Sequence, residues 1–266
     1  MADLFEGMAQ GRFSSEAIVT AYLQRIEKVD RSGPALNSII ALMPDALDVA
    51  RQRDAERARG ELRGVLHGIP VLIKDNIEVA GPVPTTAGST ALKDNVTNRD
   101  AAVIERLKAA GAVILGKTNL SQWANIRSNN STSGWSSIGG LVRNPHLLSH
   151  NACGSSSGSG AAAAASLAGG AVGTETDGSV VCPASANGIV GLKPTVGLVS
   201  RSHIVPISHT QDTAGPMTRT VRGAAMMISA MAGTDPADER TAPADSKRED
   251  YVAGLDKGGL RGLRIG

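Results

Sequence analysis

Aromatic side chains are nearly missing from this chain: Phe, Trp and Tyr together make up 2% of 266 residues. The 41% hydrophobic share must therefore come from aliphatic residues, which suits Ala-rich helices laid closely on a sheet. An excess of one charge is also missing. The formal net charge is +2, with Lys and Arg scattered among Asp and Glu and no basic stripe, which argues against nucleic acid as a partner. No apolar run approaches the ~20 residues that cross a bilayer. The opening MADLFEGMAQGRF lacks the basic and apolar regions of a signal peptide. The expectation is a cytoplasmic protein with no membrane partner, save for an export signal lost upstream. Cysteine is scarce as well. Cys153 and Cys182 stand in no CxxC or Cys/His spacing, so no zinc site is expected and each is expected to be a buried reduced thiol. They flank a Gly/Ser run and a TETDGS turn, and the sequence does not decide whether they meet.

What is present reads as α/β layering. Ser14 or Ser15 caps a helix with Ile18, Val19, Tyr22, Leu23 and Ile26 on one stripe, ending near Ser32 to Pro34. A second helix runs from about Asp45 to Arg59. Residues 68–73 form a short buried strand that delivers Lys74, Asp75 and Asn76 at its end. Asp100 is expected to cap a helix over AAVIERLKAAG, with Gly111 as its stop and a strand over 112–115. A helix between two apolar strands implies a largely parallel sheet. A long polar loop holds Trp123 and Trp135. After it come the Gly/Ser run, an Ala helix over 160–167, a strand over 170–173, and a strand and turn opening at Ile189. Residues 234–250 read as a surface connection, and Leu260 to Ile265 as a strand left unfinished, as in a fragment of a longer protein.

Two familiar patterns are decoys. Gly111 to Thr118 matches G-x-x-x-x-G-K-[ST], but its four middle residues, Ala-Val-Ile-Leu, call for burial and not for a phosphate cradle. Gly154-Ser155-Ser156-Ser157-Gly158 fits the G-x-S-x-G elbow, yet residues 144–150 before it do not form the strand an elbow needs. His67, His146, His150, His203 and His209 read as loop or structural residues, and the cluster Met226-Met227-Ile228 as core packing.

Hydrolysis of an amide needs a nucleophile, a base, a proton donor for the leaving nitrogen and an oxyanion pocket. A lysine serves as the base when burial leaves it neutral, and Lys74, at the end of an apolar strand, is such a candidate. Four stretches then occur in order: Lys74-Asp75-Asn76; Gly154-Ser155-Ser156-Ser157-Gly158-Ser159; Gly173-Thr174-Glu175-Thr176-Asp177-Gly178-Ser179; and Gly188 to Thr195 around Lys193-Pro194. Together they resemble the amidase signature family, within it bacterial peptide amidases, also through Trp123-Ala124-Asn125 and Pro206 to Pro216.

The resemblance implies an α/β/α sandwich with a large mixed sheet, truncated on its C-terminal side. It implies a single amidase domain over 1–266: N-terminal helices to about 62, a signature core over 63–233, and a connection with the start of a strand over 234–266. It implies Ser179 as acylated nucleophile, Ser155 as bridging serine entered through a cis peptide, and Lys74 as ultimate base. Backbone N–H groups of Thr176, Asp177, Gly178 and Ser179 would form the oxyanion hole. Asp177 stands where many members have Gly, and it either binds a substrate N–H or caps the turn. Trp123 and Asn125 either line the pocket or pack in the core. The implied activity is cofactor-free and metal-free hydrolysis of a small-molecule or peptide amide, such as a C-terminal carboxamide. The alternatives are an inactive fragment that only binds partners and a glutamine-hydrolysing amidotransferase subunit.

Overall fold

The computed structural model of the chain describes residues 1–255 and 259–264. Helices α1 (Ala2–Ala9) and α2 (Ser15–Ile26) open it. Ser14 is the cap of α2, its hydroxyl accepting the Ala17 N–H at 3.0 Å, while Ser15 donates its own hydroxyl to Gly68 O at 2.7 Å. Ile18, Val19 and Ile26 are buried, and Tyr22 and Leu23 half-buried, on the expected stripe. Strand β1 (Ile39–Leu42) and helix α3 (Ala46–Ala58) follow. Strand β2 (Pro70–Lys74) is buried at every position, as its unbroken apolar run requires.

Helix α4 (Ala102–Ala109) buries Val103, Ile104 and Leu107 and turns at Gly111, where φ is +91°. Asp100 does not cap it. The cap position is Ala101, so the carboxylate stands one residue too early and instead accepts the Ala80 N–H and pairs with Lys108 Nζ, both at 2.7 Å. Strand β3 (Val113–Thr118) contains most of the P-loop look-alike and is fully buried, so that run cradles nothing.

Strands β4 (Trp135–Ser136) and β5 (Gly140–Leu141) make a small ribbon inside the long loop. The Ala helix, α5 (Ser157–Ala164), starts three residues earlier than expected. Its small residues fit where larger ones would not: a Cβ on Gly158 would strike the carbonyl oxygens of Ser38 and Asn119. The Gly/Ser run is therefore packed scaffold, with every residue from Ser155 to Gly160 buried. Strand β6 (Gly170–Glu175), helix α6 (Val181–Ala186), strand β7 (Val190–Gly191), strand β8 (Thr213–Thr218) and helix α7 (Val221–Met231) complete the regular core.

Six strands form one sheet in the order β1-β3-β2-β6-β8-β7. Only β2 runs parallel to its neighbours β3 and β6, and the remaining pairs are antiparallel. The sheet is therefore mixed and not largely parallel. Parallel order is confined to the strands joined through α4 and α5; β8 escapes a sequence reading because Thr-Ala-Gly-Pro-Met-Thr shows little strand character. Helix α5 packs against β2, β3, β6 and β8, and α7 against β7, β8 and α4. The main core cluster runs from Met1 to Met231 and includes Met226, Met227 and Ile228, as expected. No strand forms at Leu260 to Arg264: these residues are turn and coil, with Leu260 and Leu263 exposed. A strand exists only through a ladder, and none of the described strands lies beside them; Ile265 falls outside the described residues.

Candidate active site

Strands β2 and β6 are neighbours in the sheet, which brings Lys74 to Thr174. Lys74 Nζ lies 2.8 Å from Ser155 Oγ, 2.8 Å from Thr174 Oγ1 and 3.3 Å from Thr174 O. The side chain is fully buried and forms no ion pair among the described residues. Desolvation draws its pKa down to about 7, against the weaker pull of the Asp212 and Glu175 charges. Asn76 Nδ2 donates to the same Thr174 hydroxyl at 3.0 Å.

Ser155 follows a cis peptide bond to Gly154, as the resemblance implied. A Cβ on Gly154 would press on Ser133 Oγ at 2.7 Å and Ser157 Oγ at 2.8 Å, so a larger residue before the serine would displace the neighbouring serine side chains. The Ser155 carbonyl accepts the Ser121 N–H at 3.0 Å. Ser156, the elbow candidate, plays a structural part instead. Its Oγ donates to Thr174 O at 3.0 Å and accepts the Thr174 N–H at 3.2 Å. Both bonds are buried, and they staple the Gly/Ser run to β6.

Ser179 is half-buried, and its carbonyl accepts the Ser156 N–H at 3.2 Å. Ser155 and Ser179 are thus brought together through their backbones, while no direct hydrogen bond joins their side chains among the described residues. The turn before Ser179 is organised by Glu175, which sequence reasoning missed. One of its carboxylate oxygens accepts the Gly178 N–H at 3.0 Å, and the other accepts those of Val180 at 2.8 Å and Val181 at 2.9 Å. An acid just ahead of a helix start was the signal available. Two corrections follow. The Gly178 N–H is turned to Glu175 and is not open to an oxyanion, which leaves those of Thr176, Asp177 and Ser179 without partners among the described residues. The turn is capped by Glu175 and not by Asp177, whose side chain is exposed and makes no hydrogen bond among the described residues.

Thr176 donates its hydroxyl to Asp212, which also accepts the N–H groups of Ile207 and Ser208. A cavity of about 230 Å³ lies here, bounded by Asn76, Thr174, Thr176, Ile207, His209 and Asp212. Trp123 and Asn125 are half-buried, so they are not core residues. They line a separate pocket of about 290 Å³ with Arg127 and Trp135, and Ser121, the contact to Ser155, lies two residues before Trp123.

The cysteines overturn the expectation of reduced thiols: Cys153 and Cys182 form a disulfide, with Cα atoms 6.0 Å apart. Cys182 is exposed and Cys153 half-buried; the same folding that joins the two serine segments brings the sulfurs together. Lys117 is no phosphate ligand, since its buried Nζ donates to Ile77 O at 2.6 Å and Thr85 Oγ1 at 2.9 Å, 3.2 Å from Asp75 Oδ1. Burial lowers its pKa and raises that of Asp75, each opposed by the other's charge. His67 is structural: its Nδ1 accepts the Arg63 N–H at 3.1 Å, which leaves Nε2 to donate to Arg53 O at 2.8 Å. Among the described residues no cluster could hold a metal, and no helix is long and apolar enough to cross a membrane.

Known proteins resemble the chain over nearly its whole length. The native peptide amidase of Stenotrophomonas maltophilia superposes with a TM-score of 0.96 at 58% identity, over 98% of this chain and 53% of that one. An amidase family protein of Bacillus anthracis gives a TM-score of 0.94 at 43% identity, over 98% and 52%. A glutamyl-tRNA(Gln) amidotransferase subunit of Methylococcus capsulatus is 45% identical over 100% of this chain and 52% of its own. The chain therefore spans about half the length of these relatives, and its fold is the α/β/α arrangement with a large mixed sheet that the resemblance implied. The family model described as Amidase matches residues 17–266, and the chain belongs to that family.

Proposed function

We propose that residues 1–266 carry the catalytic groups of an amide hydrolase, with Ser179 as acylated nucleophile, Ser155 as bridging serine and Lys74 as ultimate base. The observation that supports this best is Lys74, a buried amine with a pKa of about 7 whose Nζ lies 2.8 Å from Ser155 Oγ. A neutral amine there has a lone pair for the Ser155 proton, while its N–H bonds go to Thr174. Ser155 in turn takes the proton of Ser179 as that oxygen attacks the carbonyl carbon. The N–H groups of Thr176, Asp177 and Ser179 receive the oxyanion, each donor contributing on the order of 3 kcal/mol in the transition state. The relay then runs backward: Lys74 returns the proton through Ser155 to the departing nitrogen. Water enters by the same route and releases the acid.

A peptide with a C-terminal carboxamide, giving acid and ammonia, is the favoured substrate. The 58% identity to a peptide amidase, against 45% to an amidotransferase subunit, supports it, and the unengaged Asp177 carboxylate offers an acceptor for a substrate N–H. The glutamine-hydrolysing subunit is the second reading, resting on that 45% relative. The disulfide favours an oxidising compartment over the cytoplasm.

Turnover of peptide carboxamides should disappear in Ser179→Ala while substrate binding persists, and a fluorophosphonate should label Ser179 in the parent chain. Full turnover in the variant would refute the assignment. A folded chain that resists labelling would favour a binding role, and glutamine cleaved in preference to carboxamides would favour the second reading.

A further inference from the structure

The bond between Cys153 and Cys182 takes no part in the proton relay, yet it joins the segments that carry the two serines. Cys153 lies two residues before Ser155, and Cys182 lies three after Ser179. The Cys182 N–H also donates to Gly178 O at 2.7 Å, so this cysteine is hydrogen-bonded into the nucleophile turn. Two hydrogen bonds cross between the same segments: Ser156 N–H to Ser179 O at 3.2 Å and Asn187 Nδ2 to Ala152 O at 2.9 Å. With no side-chain hydrogen bond between Ser155 and Ser179 among the described residues, their spacing is set through the backbone, and the disulfide is the one covalent tie in that path.

We propose that the Cys153–Cys182 disulfide is a positioning link that holds the nucleophile turn against the bridging serine, so that its reduction slows acyl transfer while leaving the Lys74–Ser155 contact in place. The inference rests on the amide hydrolase reading. Lys74 is placed by β2, and the Ser155 carbonyl is held by the Ser121 N–H at 3.0 Å; neither support passes through the disulfide. What loosens on reduction is the reach from Ser155 to Ser179, the second leg of the relay. A misplacement of about 1 Å in such a relay costs roughly 100-fold in rate.

Cys182 is exposed, so a small dithiol can reach it. One thiolate of the reagent attacks the Cys182 sulfur and expels Cys153 as thiolate. The second reagent thiol then closes on the first and releases Cys182. Two electrons and two protons pass to the protein, and the reagent leaves as its cyclic disulfide.

The test compares kcat and KM on a peptide carboxamide before and after dithiothreitol, with thiol counting to verify reduction and near-UV circular dichroism to follow the fold. The inference expects kcat to fall roughly 10- to 100-fold, with KM little changed, the pH–rate midpoint unmoved and activity restored on reoxidation. The double variant Cys153→Ser/Cys182→Ser should match the reduced protein and ignore the reagent. An unchanged kcat in verified reduced protein overturns the inference. So does loss of the near-UV signal together with activity, because the bond would then serve only the fold. An oxidised protein inert to both carboxamide and fluorophosphonate refutes the hydrolase reading itself.

Discussion

Replacing Lys74 by Met tests the electrostatics of the site through stability, independently of any substrate. In the unfolded chain this lysine keeps its proton up to a pKa of 10.5, whereas in the fold it releases it near 7. Between those values the unfolded state binds one more proton, so stability rises with pH across that window. Below pH 7 the full penalty is present, about 5 kcal/mol at 1.36 kcal/mol per pKa unit. At pH 9 roughly 2 kcal/mol of it remains. Methionine, of similar length and without charge, removes the penalty and forfeits the hydrogen bonds to Thr174 and Ser155, which are worth about 1 kcal/mol each. The variant should therefore be the more stable protein at pH 6, and its advantage should shrink by about 3 kcal/mol by pH 9. Urea unfolding of both proteins at pH 6, 7.5 and 9, with the disulfide intact, reads this directly. Groups common to both proteins, Lys117 and Asp75 included, cancel in the difference. A difference in stability that stays constant over this range would show that Lys74 is not held near neutrality, and the proposed base would be lost with it. The same titration should appear in catalysis as a rise in kcat/KM through pH 7 in the parent chain.

Other perturbations separate scaffold from chemistry. Ser156→Ala leaves the buried N–H of Thr174 without its Ser156 acceptor and leaves the Thr174 carbonyl only the longer contact to Lys74, and should cost about 1–3 kcal/mol in a melting experiment, while acylation by a fluorophosphonate persists; abolished labelling in a folded variant would restore Ser156 as a nucleophile. Lys117→Met strands the buried Asp75 carboxylate and should cost about 3–5 kcal/mol. Adding Asp75→Asn should recover part of that loss, and a single variant as stable as the parent would show that the pair carries no charge.

Much of the site could be read along the chain because its chemistry is written in short stretches. Lys74 ends an apolar run that must be a buried strand, and the Gly/Ser run and the TETDGS turn supply the two serines in a recognisable order. Elements with strong local signals also appeared where expected: α2 with its Ser14 cap, α4 with its Gly111 stop, and the buried β2 and β3. The misreadings at helix starts and turns share one cause. Asp100, Glu175, Asp177 and Gly178 all lie close to helix starts or turns, where a shift of a single residue decides which N–H a carboxylate can reach. Strand β8 was missed because its burial comes from its neighbours in the sheet and not from its own pattern.

By itself the sequence pointed, through its resemblance to the amidase signature family, to the groups proposed for catalysis: a lysine, two serines and a glycine-rich scaffold on an α/β frame. Tertiary structure alone decided their states. Lys74 is drawn down to a pKa of about 7 because β6 and the Gly/Ser run, distant in sequence, strip it of water. Cys153 and Cys182, 29 residues apart, become one disulfide for a similar reason: desolvation and covalent pairing both depend on which atoms share a volume, and no stretch of chain carries that information within itself.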